Sequence, residues 1–334
     1  MGLKILIIRF SSMGDVVLTS PVIRCLHEQL PGVEIHYLTK GSNYELLRAN
    51  PYLHRIHLLD VNEAKVITQL QKEGFDYIID LHHNLRSLKF KRALKGKSRS
   101  FNKLNFEKWL LVNFKINRMP AVHIVDRYLA TVAALGVKND GKGLNYFVPD
   151  DARLQAADFD IRLANGYVAF SIGGQHATKQ LPKAKIMEIC QLIGLPILLL
   201  GGKEEQQTAA EVVAACTNQV IVSACGQVGI NQSADLVRQA RVVLSHDTAL
   251  MHLSAAFNRP TLAIWGNTVP ALGMYPYLPQ HPERFENMEV LGLNCRPCSK
   301  IGHKSCPKGH FKCMQLQDSV FIAQRARYWF AQEL

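Results

Sequence analysis

Short apolar runs alternate with amphipathic stretches along almost the whole chain. LKILIIRF reads as a strand, VVLTSPVIRCLHEQL as a helix and EIHYLTK as a second strand. A helix around Tyr44–Arg48, the strand RIHLLD, a helix over residues 62–73 and the strand YIIDLHH continue the series. This strand–helix alternation predicts a parallel sheet covered on both faces. A basic, less regular stretch follows, and HIVDRYLATVAALG then reads as a helix closed by Gly136.

The pattern restarts after residues 139–151, where turn formers and a proline mark the approach to a linker. YVAFSIGG, PILLLGG, VIVSACG, RVVLSHD and TLAIWGN each read as a buried strand ending in a turn or polar residue. The expectation is an α/β protein of two doubly wound domains facing across a cleft, the first covering residues 1–150. Ligands in such sheets bind beyond the carboxyl ends of the strands, and the unusual residues sit at those ends.

Composition narrows the class. A chain of 334 residues, 48% hydrophobic, can bury two cores of ordinary size. Nothing reaches the roughly 18 to 20 apolar residues of a membrane span. The first apolar run breaks at Arg9 without a small-residue cleavage site, so it is expected to be a strand and the protein cytoplasmic. Eight cysteines are too thinly spread for a disulfide scaffold. The net charge of +12 is concentrated in residues 1–150, and between Arg86 and Arg118 the only acid is Glu107. Such a surface attracts nucleic acid, anionic lipid or a phosphorylated small molecule, or is simply a solvated face. Phe90, Phe101, Phe106 and Trp109 lie in this stretch without an RNA-binding or helix-turn-helix signature, so nucleic acid is not expected as a partner.

Three stretches carry candidate chemistry. In IIRFSSMGDVV, Gly14 permits a turn and Asp15 opens the next helix, whose start favours negative charge by about 0.3–1 kcal/mol. Asp15 could therefore accept a proton or orient a hydroxyl, or merely stabilise its own helix. There is no G-x-G-x-x-G, which counts against a dinucleotide-binding oxidoreductase. In RVVLSHDTALMHLSAAF, Asp247 and Thr248 occupy a helix start that could bind an anion or sugar hydroxyls, with His252 beyond. Capping by Asp247 and Thr248, with His252 facing the core, is the plainer alternative. In SIGGQHATKQLP, Thr178 and Lys179 follow a glycine pair and suit a diphosphate, the ammonium offsetting charge on a departing phosphate. Glu204 or Glu205, after the next Gly-Gly, could accept from a ribose.

SSMGD, DLHHNLRS, HIVDRYLATVAALG, TKQLP, HDTALMHLSAAFNRPTLAIWGNT and the C-terminal CRPC…C…GHFKC together resemble the ADP-heptose–lipopolysaccharide heptosyltransferases, the family-nine glycosyltransferases. The likeness runs in order along nearly the whole chain. It implies a GT-B architecture of two Rossmann-like domains: an acceptor domain at 1–150, a nucleotide-sugar donor domain at 151–314, and a C-terminal helix at 315–334 crossing back to the first. It further implies inverting heptose transfer from ADP-heptose to a lipopolysaccharide-core acceptor, at the inner face of the cytoplasmic membrane, with no metal required. Residue by residue, the resemblance makes Asp15 the base and puts Thr178 and Lys179 on the donor diphosphate. Asp247 falls on the donor sugar, with Thr248, Ala249 and His252 in the same motif. Arg86, His123 and Arg127 fall on the acceptor side. The sequence departs from the family at Ala249, where a glycine is usual, at Asn267 in place of proline, and at Leu181 in place of an aromatic residue. These changes surround the donor site.

Cys295, Cys298, Cys306 and Cys313, with His303 and His310 nearby, could hold a structural zinc or order a loop as reduced thiols. Two rivals to transfer remain at this level. One is a nucleotide-sugar-binding protein that has lost catalysis; the other is a nucleotide-sugar epimerase of similar architecture.

Overall fold

A computed structural model describes residues 2–59 and 61–332. The chain forms two compact units, Met1–Lys103 with Val122–Pro149, and Leu104–Ala121 with Asp150–Leu334. Segment 104–121 thus belongs to the second unit although it interrupts the first in sequence.

The first unit is built on five parallel strands: β1 (Lys4–Ile8), β2 (Glu34–Lys40), β3 (Arg55–Leu59), β4 (Tyr77–Asp80) and β5 (Lys97–Ser100). Their order is β3-β2-β1-β4-β5, so the chain moves outward from β1 in one direction and then returns to its other side. β1 is central and fully buried from Ile5 to Ile8, as its unbroken aliphatic run requires. β5 was not foreseen. Its sequence, KSRS, is a polar edge strand with no apolar side to betray it.

The stretch read as one helix after β1 is two, Met13–Val17 and Ser20–Gln29. Pro21 sits in the first turn of the second, where its missing N–H costs nothing. Likewise HIVDRYLATVAALG divides into a helix, Ile124–Leu129, and a 3₁₀ turn, Ala133–Leu135, stopped by Gly136 at φ 81°. The region after Gly136, expected as the approach to a linker, is tied down by Arg24. That guanidinium reaches Asp140 Oδ2 at 2.7 Å, Asn145 Oδ1 at 2.9 Å and the Gly143 carbonyl at 2.7 Å.

The second unit carries six parallel strands: β6 (Val168–Ser171), β7 (Ile197–Leu200), β8 (Ile221–Ser223), β9 (Val242–His246), β10 (Thr261–Trp265) and β11 (Phe285–Glu289). Their order is β11-β10-β9-β6-β7-β8, so the chain reverses direction between β6 and β9. β11, FENME, is the other strand missed, again an edge strand without alternation. The C-terminal helix Ser319–Ala331, anticipated as a return to the first domain, is built into this unit. Ile322, Ala323, Ala326 and Trp329 enter its core, and Arg325 clamps Glu286 on β11 at 2.6–2.8 Å. No described helix is long and apolar enough to cross a membrane.

Candidate active site

At the carboxyl end of β1 the chain continues through Arg9 to the turn before the helix Met13–Val17. Arg9 Nη2 lies 2.6 Å from Asp15 Oδ2, with both side chains nearly buried. Ser12 adds its backbone N–H at 3.1 Å and its hydroxyl at 2.8 Å to the same carboxylate oxygen. Arg9 is itself fixed: it donates to the Ser11 carbonyl at 2.7 Å, the Leu81 carbonyl at 2.5 Å and Tyr128 Oη at 2.9 Å. Burial opposes its charge most strongly, yet Asp15, Tyr128 and Tyr37 together outweigh it and raise the pKa further. Arg9 is therefore the residue that aims Asp15, a role its sequence position did not reveal.

The end of the neighbouring β4 supplies a second corner. Asp80 is fully buried and accepts from His82 N at 3.0 Å, His83 N at 2.7 Å and Ser87 Oγ at 2.8 Å, with Lys91 at 3.0 Å. It shapes the DLHHNLRS turn. Burial, with help from Arg9, lowers the His82 imidazole to about 4, so that ring is neutral near pH 7.

The three acceptor-side candidates behave differently from one another. Arg86 is exposed on the helix Leu85–Leu94 and pairs with Glu63 at 2.9 Å. His123 is buried and caps the helix Ile124–Leu129, its Nδ1 accepting from Val125 N at 3.1 Å. Arg127 is buried on that helix, 3.4 Å from the Asn102 carbonyl, and burial lowers its pKa. The same helix meets the Asp15 corner through Tyr128, by way of Arg9.

In the second unit the predicted donor residues do converge. Lys179 Nζ stands 2.6 Å from Asp247 Oδ2, and Thr268 Oγ1 donates to that oxygen at 2.9 Å. Asp247 follows β9, Thr268 follows β10, and Lys179 ends the 3₁₀ turn Ala177–Lys179 after β6; three strand ends thus meet in one cluster. Thr248 is the N-cap of the helix Ala249–Ala256, with its hydroxyl 3.3 Å from Ser245 Oγ. Ala249 opens the helix and His252 is buried within it. Thr178, by contrast, is buried against the C-terminal segment: His303 N donates to its hydroxyl at 2.8 Å. Glu205 is engaged with Gly202 N at 2.8 Å and Gln180 Nε2 at 3.1 Å, which braces the two Gly-Gly turns against each other.

His246 explains how these turns are held. Leu181 N donates to its Nε2 at 3.1 Å, so the ring proton must sit on Nδ1, which donates to the Gly173 carbonyl at 3.1 Å. Complete burial lowers this imidazole to about 4, which preserves the neutral form that both bonds need.

The profile of glycosyltransferase family 9 (heptosyltransferase) matches residues 64–305, most of the chain. The chain belongs to glycosyltransferase family 9. It is 24% identical over 289 residues to lipopolysaccharide heptosyltransferase 1 of Campylobacter coli, covering 80% of this chain and 84% of that one. A family 9 glycosyl transferase structure from Veillonella parvula superposes with a TM-score of 0.76, at 18% identity, over 99% of this chain and 98% of that one. The Escherichia coli heptosyltransferase WaaC with ADP superposes with a TM-score of 0.69, at 18% identity, over 98% and 100% of the two chains. The fold is the GT-B type of this family.

In this family 9 glycosyltransferase the cysteine segment is tied to the turn that carries Thr268, and so to the Lys179–Asp247–Thr268 cluster. Arg296, between Cys295 and Cys298, donates to the Gly266 carbonyl at 2.6 Å and the Thr268 carbonyl at 3.0 Å, and pairs with Glu289 at 3.0 Å. It fixes the turn that carries Thr268. The C-x-x-C spacing points to the thiols and not to the arginine between them. Burial raises the Cys298 thiol, with Cys295 and Cys306 adding to it, and pushes Cys313 up to about 11. Cys295 Sγ lies 3.8 Å from His310 Nε2. Among the described residues, the ligand atoms that converge within 4.8 Å belong to Glu34, His36 and His54, and to His36, His57 and Glu73, not to the cysteines. Both of those carboxylates already face cations: Glu34 meets Lys4 at 3.3 Å, and Glu73 meets Arg55 at 2.9 Å. These trios read as an ion-paired rim of the first sheet.

Proposed function

We propose that this glycosyltransferase moves a heptose from ADP-heptose to an anionic lipopolysaccharide-core acceptor with inversion at the anomeric carbon. The observation that carries the donor side is the Lys179–Asp247–Thr268 cluster at three strand ends. A diphosphate arriving there would draw Lys179 toward its oxygens. Asp247, still held by Thr268, would then accept from sugar hydroxyls. The start of the helix Ala249–Ala256 offers unpaired N–H groups to the same phosphates. Relatives named as lipopolysaccharide heptosyltransferases and a neighbouring heptosyltransferase structure with ADP support the choice of substrates.

In the reaction the acceptor hydroxyl oxygen forms a bond to the anomeric carbon as the bond from that carbon to the diphosphate breaks. The departing nucleoside diphosphate keeps the electron pair, opposite Lys179. The hydroxyl proton passes to Asp15, which Arg9 and Ser12 hold in place. A carboxylate so well supplied with donors is a weak base, so proton transfer comes late, after oxocarbenium character has developed. The basic first unit suits a phosphorylated acceptor, with Arg86, His123 and Arg127 as acceptor-side residues. No step requires a metal; a zinc on the cysteine segment would be structural, with the thiols drawing closer together to hold it.

Calorimetry of ADP-heptose, with GDP- and UDP-sugars as competitors, tests the donor. Binding of ADP-heptose that weakens at least about tenfold in Lys179→Ala is expected, since a charge-assisted contact of 1.5–3 kcal/mol is roughly that factor or more. Preference for another nucleotide would overturn the donor assignment.

A further inference from the structure

The helix Asn105–Phe114 buries Leu111 and turns Phe106, Trp109 and Phe114 outward, 62, 51 and 56% exposed. Their rings touch one another: Phe106 and Trp109 lie 6.2 Å apart at their centroids, and Trp109 and Phe114 lie 5.0 Å apart. Ile116, just beyond the helix, is exposed as well. A water-facing helix of a globular protein places charged residues on its outer side. Here that side is aromatic.

The charges nearby are predominantly positive. Lys115 and Arg118 are exposed and Lys108 is half-buried, while Glu107 is the only acid between residues 101 and 121. Protein–protein interfaces favour aromatic residues but are depleted in lysine. Tryptophan and phenylalanine flanked by lysine and arginine are instead the composition of segments that lie in the headgroup layer of a bilayer. There the rings enter the acyl boundary and the cations meet anionic lipids.

We propose that residues 106–118 dock this protein onto an anionic phospholipid surface. The inference deepens the transfer reading, on which only its purpose rests: an acceptor carried by lipid would be met at that surface. The docking itself depends on no sugar or nucleotide.

The test uses the full-length protein and vesicles that contain no glycolipid, so its outcome is separate from that of the transferase reading. Flotation with vesicles of phosphatidylethanolamine and phosphatidylglycerol is compared with phosphatidylcholine alone, for wild type and for Phe106→Ser/Trp109→Ser/Phe114→Ser. The expected result is wild-type binding to the anionic vesicles that weakens with added salt, and partitioning at least about tenfold lower in the triple variant. Arg118→Glu, which leaves the helix intact, is expected to weaken anionic-vesicle binding alone. Equal partitioning of wild type and both variants would overturn the proposal. So would a wild type that ignores vesicles but forms a dimer that the triple variant loses in light scattering, which would make this face a contact between copies.

Discussion

Lys179 and Asp247 stand 2.6 Å apart, so the cation proposed for a phosphate and the carboxylate proposed for a sugar are paired with each other. The pair makes their contributions to binding separable. Asp247→Asn removes a negative charge beside the diphosphate and releases Lys179. ADP alone is expected to bind Asp247→Asn as well as or better than wild type, whereas ADP-heptose loses about tenfold, the worth of a charged hydrogen bond to its hydroxyls. Calorimetry with both ligands checks this; equal losses for both would mean that Asp247 serves the fold and not the sugar.

Gly266 is needed for a different reason. A Cβ built on it would lie 2.5 Å from the Thr178 carbonyl oxygen and 2.6 Å from Met314 Cε. The methionine could yield, but the backbone oxygen could not without moving the Thr178–Lys179 turn. Gly266→Ala is expected to destabilise the protein by about 1–3 kcal/mol, as overpacking does, and to weaken donor binding through Lys179. Urea unfolding and calorimetry on the same variant measure the two effects. A stable variant with normal donor affinity would show that the two turns are not coupled.

His246 makes stability depend on pH with a definite sign. The unfolded chain takes up a proton on this imidazole near 6.5, whereas the buried ring does not until about 4. The stability it contributes is therefore present above pH 6.5 and is lost as pH falls toward 4. His36 and His82, lowered to about 4 by burial, act in the same direction. His246→Asn is expected to flatten the fall in unfolding free energy over this window by up to one proton, about 1.4 kcal/mol per pH unit. Parallel pH profiles for variant and wild type would contradict the neutral assignment.

β1 could be read from the sequence because its aliphatic run admits little else, and β2 begins and ends where EIHYLTK does. The edge strands β5 and β11 could not, since KSRS and FENME are held by pairing with a neighbour and carry no pattern of their own. Within the site, Lys179, Asp247 and Thr248 were legible because they stand at strand ends and helix starts. Arg9 and Arg296 were not. Each works through backbone carbonyls and a carboxylate brought near only by folding, and no spacing along the chain announces that. Thr178 and Glu205 were foreseen as ligand contacts, and in this structure they brace neighbouring turns.

The role of Asp15 is tested by heptose transfer from ADP-heptose to an inner-core acceptor by wild type and Asp15→Asn, with donor affinity measured on both and the product anomer assigned by NMR. An inverted product from wild type, a fall of about 10²–10⁴ in turnover for Asp15→Asn, and nearly unchanged donor affinity are expected. Turnover by Asp15→Asn close to that of wild type would contradict that role.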